Sequence, residues 1–391
     1  MPSRAAAKPS VLAKLRALRA TDATFSSGKI LGSMGTAPHP SAEAAHRLFL
    51  NANLGDPGHV PGAARVEAAY NRILLDLAGA KPGRGVGQVT SGASEANILA
   101  LAWMRIRSGA GDVIVPRTGH FSLEKAAKFL GLRLRIAETD ERHRLLPQSV
   151  SSLVGPETAG IVAVAGTTQV GSIDPISEIA EIARSHDLPL HVDAAFGGYI
   201  LPFLNPARRF GFDIPGVETV AMDTHKMAMG TIGAGALLMR EQRELDELAV
   251  ETPYLSTPRQ RGILGTRSAG PVAAAVAAWD SLGAKGYERV VTGCLENTRF
   301  VAKALSGHGI RPLVEPELNI LAIPHPDPLR LQGRLAARGW RVNVLTRLHA
   351  IRLVMMPHVT RRTLAAFLPA FLKAYNESAE VPGLVALQPT R

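Results

Sequence analysis

The chain has a single cysteine, Cys294, among 391 residues. That excludes an intramolecular disulfide and any Cys-rich zinc or iron–sulfur site. It suits a reducing compartment, and a cytoplasmic protein is the expectation. Aromatic residues are scarce, at 5%. Acidic residues are also short: Asp and Glu number 33 against 44 Lys and Arg, leaving a net charge of +11. The basic residues are dispersed, however, and few aromatics sit among them to stack on bases, so no nucleic-acid partner is expected. Long apolar runs are missing too. The longest uncharged one, Ile161 to Val170, contains Thr167, Thr168 and Gln169 and is far short of the ~20 residues that span a bilayer. No membrane partner is expected. What remains is 46% hydrophobic, enough for a folded chain of more than one domain with a sizeable core.

Residues 1–21 carry no acid before position 22 and several Arg, Lys, Ser and Ala, a composition shared by transit peptides and amphipathic helices. Leu12, Leu15 and Leu18 on one stripe favour the helix. Further on, short β-rich runs alternate with helical ones. Strands are expected at Val86–Thr90, Asp112–Pro116, Gly160–Ala165, Leu190–Asp193, Glu218–Met222 and Ala234–Met239, with helices at Ser94–Ser108, Ser122–Leu130 and Pro175–His186. This alternation implies an α/β fold with a mostly parallel sheet covered on both faces. Two helical patterns, 268–284 and 287–307, lead into a smaller α+β region. The expected division is an N-terminal segment 1–50, a large domain 51–284, a small C-terminal domain 285–376 and a loose tail 377–391.

Four segments fall at the C-terminal ends of expected strands, the edge where open parallel sheets bind ligands. Ser91-Gly92-Ala93-Ser94 links a strand to a helix, and a helix start with free N–H groups and hydroxyls can hold a phosphate. It equally reads as a plain helix cap. It is neither a Walker loop nor a dinucleotide fingerprint. His191-Val192-Asp193 puts Asp193 at a strand end before small residues that leave room for a flat ligand. A buried Asp there can hold a heterocycle's ring nitrogen protonated by charge pairing, or simply cap the next turn. His191 and Asp193 suggest no third ligand, so no metal site is expected. Asp223-Thr224-His225-Lys226 lies between apolar, Gly-containing flanks, a setting in which a Lys amine can form a Schiff base. Gly166-Thr167-Thr168 offers hydroxyls at a fourth strand end.

A phosphate cradle, a ring-nitrogen Asp and a reactive Lys, in that order on parallel strands, fit pyridoxal 5′-phosphate. The chain resembles the group II amino-acid decarboxylases among the fold-type I enzymes of this cofactor, and their archaeal tyrosine/aspartate branch in particular. The resemblance runs from about Gly32 to Pro357. It is carried by Asn53-Leu54-Gly55-Asp56-Pro57-Gly58, Ser91 to Asn97, His191 to Phe203, Asp223 to Lys226, Leu264-Gly265-Thr266-Arg267 and Met356-Pro357-His358. It implies the transferase fold of that class and decarboxylation of an L-amino acid. Aspartate giving β-alanine, a coenzyme A precursor, is favoured, with tyrosine giving tyramine beside it. Lys226 would bind the cofactor covalently, Asp193 would pair with its ring nitrogen, and Ala195 and His120 would lie on its two faces. Ser91, Gly92, Ala93, Ser94 and His225 would surround its phosphate, and Thr167 would reach the ring hydroxyl or the substrate carboxylate. Arg352 would hold the α-carboxylate. Thr266 would reach the phosphate of a partner subunit, implying a homodimer with shared active sites. Tyr254, in a polar loop between Pro253 and Pro258, would be a catalytic acid on a mobile lid. Thr224 departs from the branch, which more often has Pro there. It looks instead like the sphingosine-phosphate lyases, so a carbon–carbon lyase is one alternative and a non-catalytic cofactor-binding protein another.

Overall fold

The computed structural model describes residues 10–379. Its strands are β1 (Val86–Thr90), β2 (Asp112–Pro116), β3 (Arg133–Ala137), β4 (Thr158–Val164), β5 (Leu190–Asp193), β6 (Val217–Asp223), β7 (Gly235–Met239), β8 (Val250–Glu251), β9 (Arg259–Gln260), β10 (Ile320–Pro324), β11 (Asn343–Leu345) and β12 (Ala350–Val354). Its helices are α1 (Val11–Arg19), α2 (Pro40–Leu48), α3 (Pro61–Leu77), α4 (Ala93–Ser108), α5 (Phe121–Leu130), α6 (Pro147–Leu153), α7 (Ile176–Ser185), α8 (Gln242–Asp246), α9 (Ala269–Ser306), α10 (Pro328–Ala337) and α11 (Arg361–Ala379).

Seven strands form one sheet in the order β1-β7-β6-β5-β4-β2-β3. From β6 to β3 the pairings are parallel, and β7 runs antiparallel to both of its neighbours. Parallel neighbours need crossover helices, which cover the sheet on both faces. Alternation along each strand shows the two layers directly. Val113, Val115, Val162, Ala221 and Leu237 pack with α4 and α5. Ile114, Ile161, Ala163, Val192, Val220, Met222 and Leu238 pack on the other side, with α3, α7 and α9. Both sets are buried, so the strands read as near-continuous apolar runs, and the sequence locates them for that reason.

The structure departs from expectation in two places. β3 carries Arg133 and Arg135, whose guanidiniums pair with Asp112 of β2. It is an edge strand, and charge on an edge opposes pairing with another chain while hiding the strand's pattern. The two helices expected at 268–284 and 287–307 are both present within α9, meeting at Gly283, whose φ of 58° and ψ of 178° are non-helical. Finally, residues 30–32 belong with the C-terminal sheet β10-β12-β11. Ile30 bridges Arg341, Val354 N–H donates to Leu31 O, and Leu31 is buried among Leu321, Leu353 and Phe367. The expected loose tail starts in α11, where Glu377 pairs with Arg334 and Arg338; residues 380–391 lie outside the described residues. In α1, Leu12, Leu15 and Leu18 are all exposed, and residues 1–9 also lie outside. Among the described residues no helix is long and apolar enough to cross a membrane, and no cluster of His, Cys, Asp and Glu could hold a metal.

Candidate active site

At the C-terminal edge of the parallel strands lies a cavity of about 280 Å³, lined among others by Ser91, Ser94, His120, Asp193, His225 and Lys226. β1 delivers the first wall. After Thr90 the chain turns through Gly92 at φ 155°, a region that L side chains rarely adopt, and α4 begins at Ala93. A Cβ on Gly92 would meet Asp223 Oδ1 at 3.3 Å. The helix start is less open to an anion than the sequence suggests, because two of its amides are already engaged. Ala93 N–H donates to Asp223 Oδ1 (2.7 Å) and Ser91 N–H to Glu95 Oε2 (2.7 Å). The donors left are the amides of Gly92 and Ser94, which meet no partner among the described residues, and the side-chain hydroxyls. The hydroxyls of Ser91 and Ser94 meet no partner among the described residues.

β5 ends at Asp193, which is buried. One carboxylate oxygen accepts from Ala195 N–H (3.1 Å) and the other from Asn97 Nδ2 (2.9 Å). β6 ends at Asp223, and the following turn is locked by Gly230 N–H to Thr224 O (2.8 Å) and by the Thr224 hydroxyl to Ala234 O (3.1 Å). Met227 and Ala228 are buried beneath it, so Lys226 projects into the cavity, with Nζ 3.1 Å from Asp223 Oδ2. His225 Nδ1 is buried with no hydrogen-bond partner. It lies 3.7 Å from Asp223 Oδ1, an ion-pair distance beyond hydrogen-bond reach. His120 caps α5, its Nδ1 accepting from Ser122 N–H at 3.3 Å, while its ring also lines the cavity. Burial holds its pKa below the usual histidine value, opposed by the charge of Asp193.

The structure thus brings together Ser91, Gly92, Ala93, Ser94, His120, Asp193, Ala195, His225 and Lys226. Four expected residues lie elsewhere. Thr167 is fully buried, its Oγ accepting from Ser172 N–H (3.1 Å), and its neighbour Thr168 faces the cavity instead. Arg352 is buried mid-strand in β12. Its guanidinium donates to Thr168 O (2.9 Å) and Gly32 O (2.8 Å), and burial lowers its pKa to about 10. It braces the turn beside the cavity from behind. Thr266 is exposed and outside the lining. Tyr254 is 83% exposed in the β8–β9 loop. That loop is tied to the Asp56–Gly58 segment, Ser256 N–H donating to Asp56 Oδ1 and Ser256 Oγ accepting from Gly58 N–H.

Sequence reasoning left out Asn97, Ser122, Thr168 and Asp223 as site residues. Helical spacing was the available signal for Asn97, which stands one turn after Ala93 on the same face of α4. Next to the cavity, and sharing His120, Phe121 and Thr168 with it, is a second cleft of about 300 Å³ lined also by Arg117, Gln169 and Arg347.

The residues fit pyridoxal 5′-phosphate. The glycine at position 92 leaves open the space that a Cβ would fill, His225 Nδ1 is a buried nitrogen with no hydrogen-bond partner, and a lysine and an aspartate converge on one volume. Comparison with known proteins agrees. Residues 113–320 match the family described as pyridoxal-dependent decarboxylase conserved domain. A probable L-tyrosine/L-aspartate decarboxylase of Methanocella arvoryzae is 39% identical over 94% of this chain and 98% of its own. A probable L-aspartate decarboxylase of Archaeoglobus fulgidus is 38% identical over 93% and 98%. Among solved structures, a sphingosine-1-phosphate lyase of Burkholderia pseudomallei superposes with a TM-score of 0.87 at 24% identity, covering 97% of this chain and 93% of that one. A glutamate decarboxylase of Lactobacillus brevis gives 0.86 at 21%, covering 97% and 96%. At these identities the structural likeness is one of fold.

Proposed function

Because the chain belongs to the pyridoxal-dependent decarboxylase family, we propose that it converts L-aspartate to β-alanine and CO2, with Lys226 as the cofactor-binding lysine. It is a pyridoxal-phosphate-dependent amino-acid decarboxylase of the type I fold. The observation that carries the assignment of roles is the convergence of Lys226, Asp193 and His120 on one cavity. When bound, the cofactor supplies a protonated ring that withdraws electrons from the substrate's Cα. Asp193 holds the proton at the ring nitrogen, its own carboxylate fixed by Ala195 N–H and Asn97. Ser91, Ser94 and His225 would bind the phosphate, with the unpartnered amides of Gly92 and Ser94 beside them. His120 and Ala195, which line the cavity, would bound the ring and exclude water. Thr168, braced by Arg352, lines both the cavity and the second cleft.

For the substrate side chain, the second cleft supports aspartate. Arg117 is engaged with Glu138, whereas Arg347 has no ion pair among the described residues and lines that cleft. An unpaired guanidinium favours a carboxylate over a phenol. Purified protein incubated with each of the twenty amino acids should release CO2 and β-alanine from aspartate. Tyramine as the main product would overturn the substrate. Borohydride reduction followed by peptide mapping should place the cofactor on Lys226, and an adduct on another lysine would overturn the assignment.

The homodimer with shared sites belongs to the same reading. Ile263 and Leu264 are exposed apolar side chains, and they immediately precede the segment carrying Thr266. A surface of that character is suited to a second copy of the chain. Thr266 would then reach the partner's phosphate and Tyr254 the partner's substrate, where its phenol would return a proton to Cα.

A further inference from the structure

Behind the cavity a buried polar chain joins the two groups that would flank the cofactor. Asn97 is its hub. Nδ2 lies 2.9 Å from Asp193 Oδ2 and 2.8 Å from Ser122 Oγ, and Oδ1 lies 2.9 Å from His191 Nε2. His191 Nδ1 is 2.8 Å from the Thr219 hydroxyl, and Ser122 Oγ is 2.9 Å from His120 Nδ1. Asn97, Ser122, His191, Asp193 and Thr219 are all nearly or wholly inaccessible. Buried polar groups of this kind need partners, so the donors and acceptors can be assigned by elimination.

The carboxylate of Asp193 accepts only, so the Asn97 amide must present its nitrogen there; reversed, two acceptors would face each other at 2.9 Å. Both Nδ2 hydrogens are then spent, on Asp193 and on Ser122 Oγ. Asn97 Oδ1 requires a donor, so His191 carries its proton on Nε2. Its Nδ1 accepts from the Thr219 hydroxyl. Ser122 Oγ, already accepting from Asn97, turns its own hydrogen to His120 Nδ1, which also accepts from Ser122 N–H. The His120 proton is left on Nε2. The chain has one direction throughout: Thr219 to His191 to Asn97 to Ser122 to His120.

We propose that Asn97 is the positioning residue of this enzyme: one amide, oriented by His191, fixes the Asp193 carboxylate and, through Ser122, the tautomer and ring plane of His120. The inference rests on the reading above that Asp193 and His120 flank the cofactor. A residue that only filled the core would stabilise the fold and leave the state of two separate side chains untouched. Asn97 sets both from one point, because each of its polar hydrogens goes to a different one.

The test reads histidine tautomers by 15N imidazole spectroscopy on the full chain, with and without pyridoxal phosphate, and signals are assigned with His120→Gln and His191→Gln. In the wild type both His120 and His191 should carry the proton on Nε2. A proton on Nδ1 of either ring would overturn the directional chain. Asn97→Leu, close in size and without donors, should leave His191 as a mixture of tautomers and broaden the His120 signal. It should also weaken cofactor retention ~10–100-fold, the loss expected for a hydrogen bond to a charged group. Ser122→Ala is the milder variant in case Asn97→Leu does not fold. It should shift the His120 signal and leave cofactor retention within about twofold, since the Asn97–Asp193 bond survives. If a folded Asn97→Leu keeps both tautomers and lowers only thermal stability, Asn97 is a packing residue and the proposal falls. Failure of the cofactor to attach at Lys226 in the wild type would instead sink the function reading, while the tautomers of the cofactor-free chain would still decide this one.

Discussion

His191 has no accessible surface, and burial pushes its pKa down to about 4, with the charge of Asp193 opposing. The folded value is below that of the unfolded chain, near 6.5. The sign follows from proton uptake. Above pH 6.5 the ring is neutral in both states and its contribution is complete. As pH falls from 6.5 towards 4, the unfolded chain takes a proton that the folded chain refuses, and stability is lost. His120 and His358, lowered for the same reason, act in the same direction. Asp174 opposes them: burial raises its carboxyl to about 7, so the folded state takes up a proton first as pH falls. A bare pH profile would mix these effects, and a variant isolates one. His191→Gln keeps a donor for Asn97 Oδ1 and cannot titrate. Its stability cost, from urea denaturation, should be smaller at pH 5 than at pH 7.5 by about 2 kcal/mol. Equal costs at the two pH values would mean that His191 is not the neutral, buried ring described.

At the scale of elements, the antiparallel β7 supports the Gly92 turn, the loop proposed to hold the phosphate. Gly235, its first residue, pairs with Thr90 on one side and Asp223 on the other. A Cβ there would stand 2.7 Å from Gly92 Cα and 2.9 Å from Met222 O. Both are backbone atoms that cannot swing aside. Gly235→Ala should cost about 1–3 kcal/mol by overpacking and displace the Gly92 turn, so the protein should lose pyridoxal phosphate on dialysis. Gly160→Ala is the control. Its Cβ would meet the Met104 side chain, which is flexible, so the cofactor should stay bound. Cofactor loss from both variants alike would trace the effect to general destabilisation. The same close approach explains what the sequence could and could not show. The Gly92 turn was legible because a glycine between a strand and a helix is a local signal. Gly235 looked like an ordinary strand residue, because its requirement comes from a segment more than a hundred residues away.

For the whole molecule, the question is which chain completes the site. Tyr254 and Thr266 are exposed and outside the cavity of their own chain. If they serve a partner's cavity, two defective chains can repair each other. Lys226→Ala and Tyr254→Phe homodimers should each be nearly inactive. Co-expressed in equal amounts, half of the dimers would be mixed, with one intact site each, restoring about a quarter of wild-type activity. No recovery in a purified mixed dimer would place Tyr254 in its own subunit's chemistry, and an active Tyr254→Phe homodimer would place it outside the chemistry altogether. Sedimentation showing an active monomer at assay concentration would remove the shared site as well.

The sequence by itself determined the sheet strands that are buried on both faces, the strand-end positions of Asp193 and Lys226, and the family, because each depends on short-range pattern or on motifs a few residues long. It did not reveal β3, where Arg133 and Arg135 interrupt the apolar signal of an edge strand. Only the tertiary structure placed Thr168 rather than Thr167 at the cavity. The direction of a turn's side chains depends on what the turn packs against, here Ser172 and the guanidinium of Arg352 from another sheet. Only the tertiary structure joined Asn97, Ser122 and His191 to Asp193. These residues come from two helices and a strand, and a hydrogen bond between them exists only once the helices are seated on the sheet.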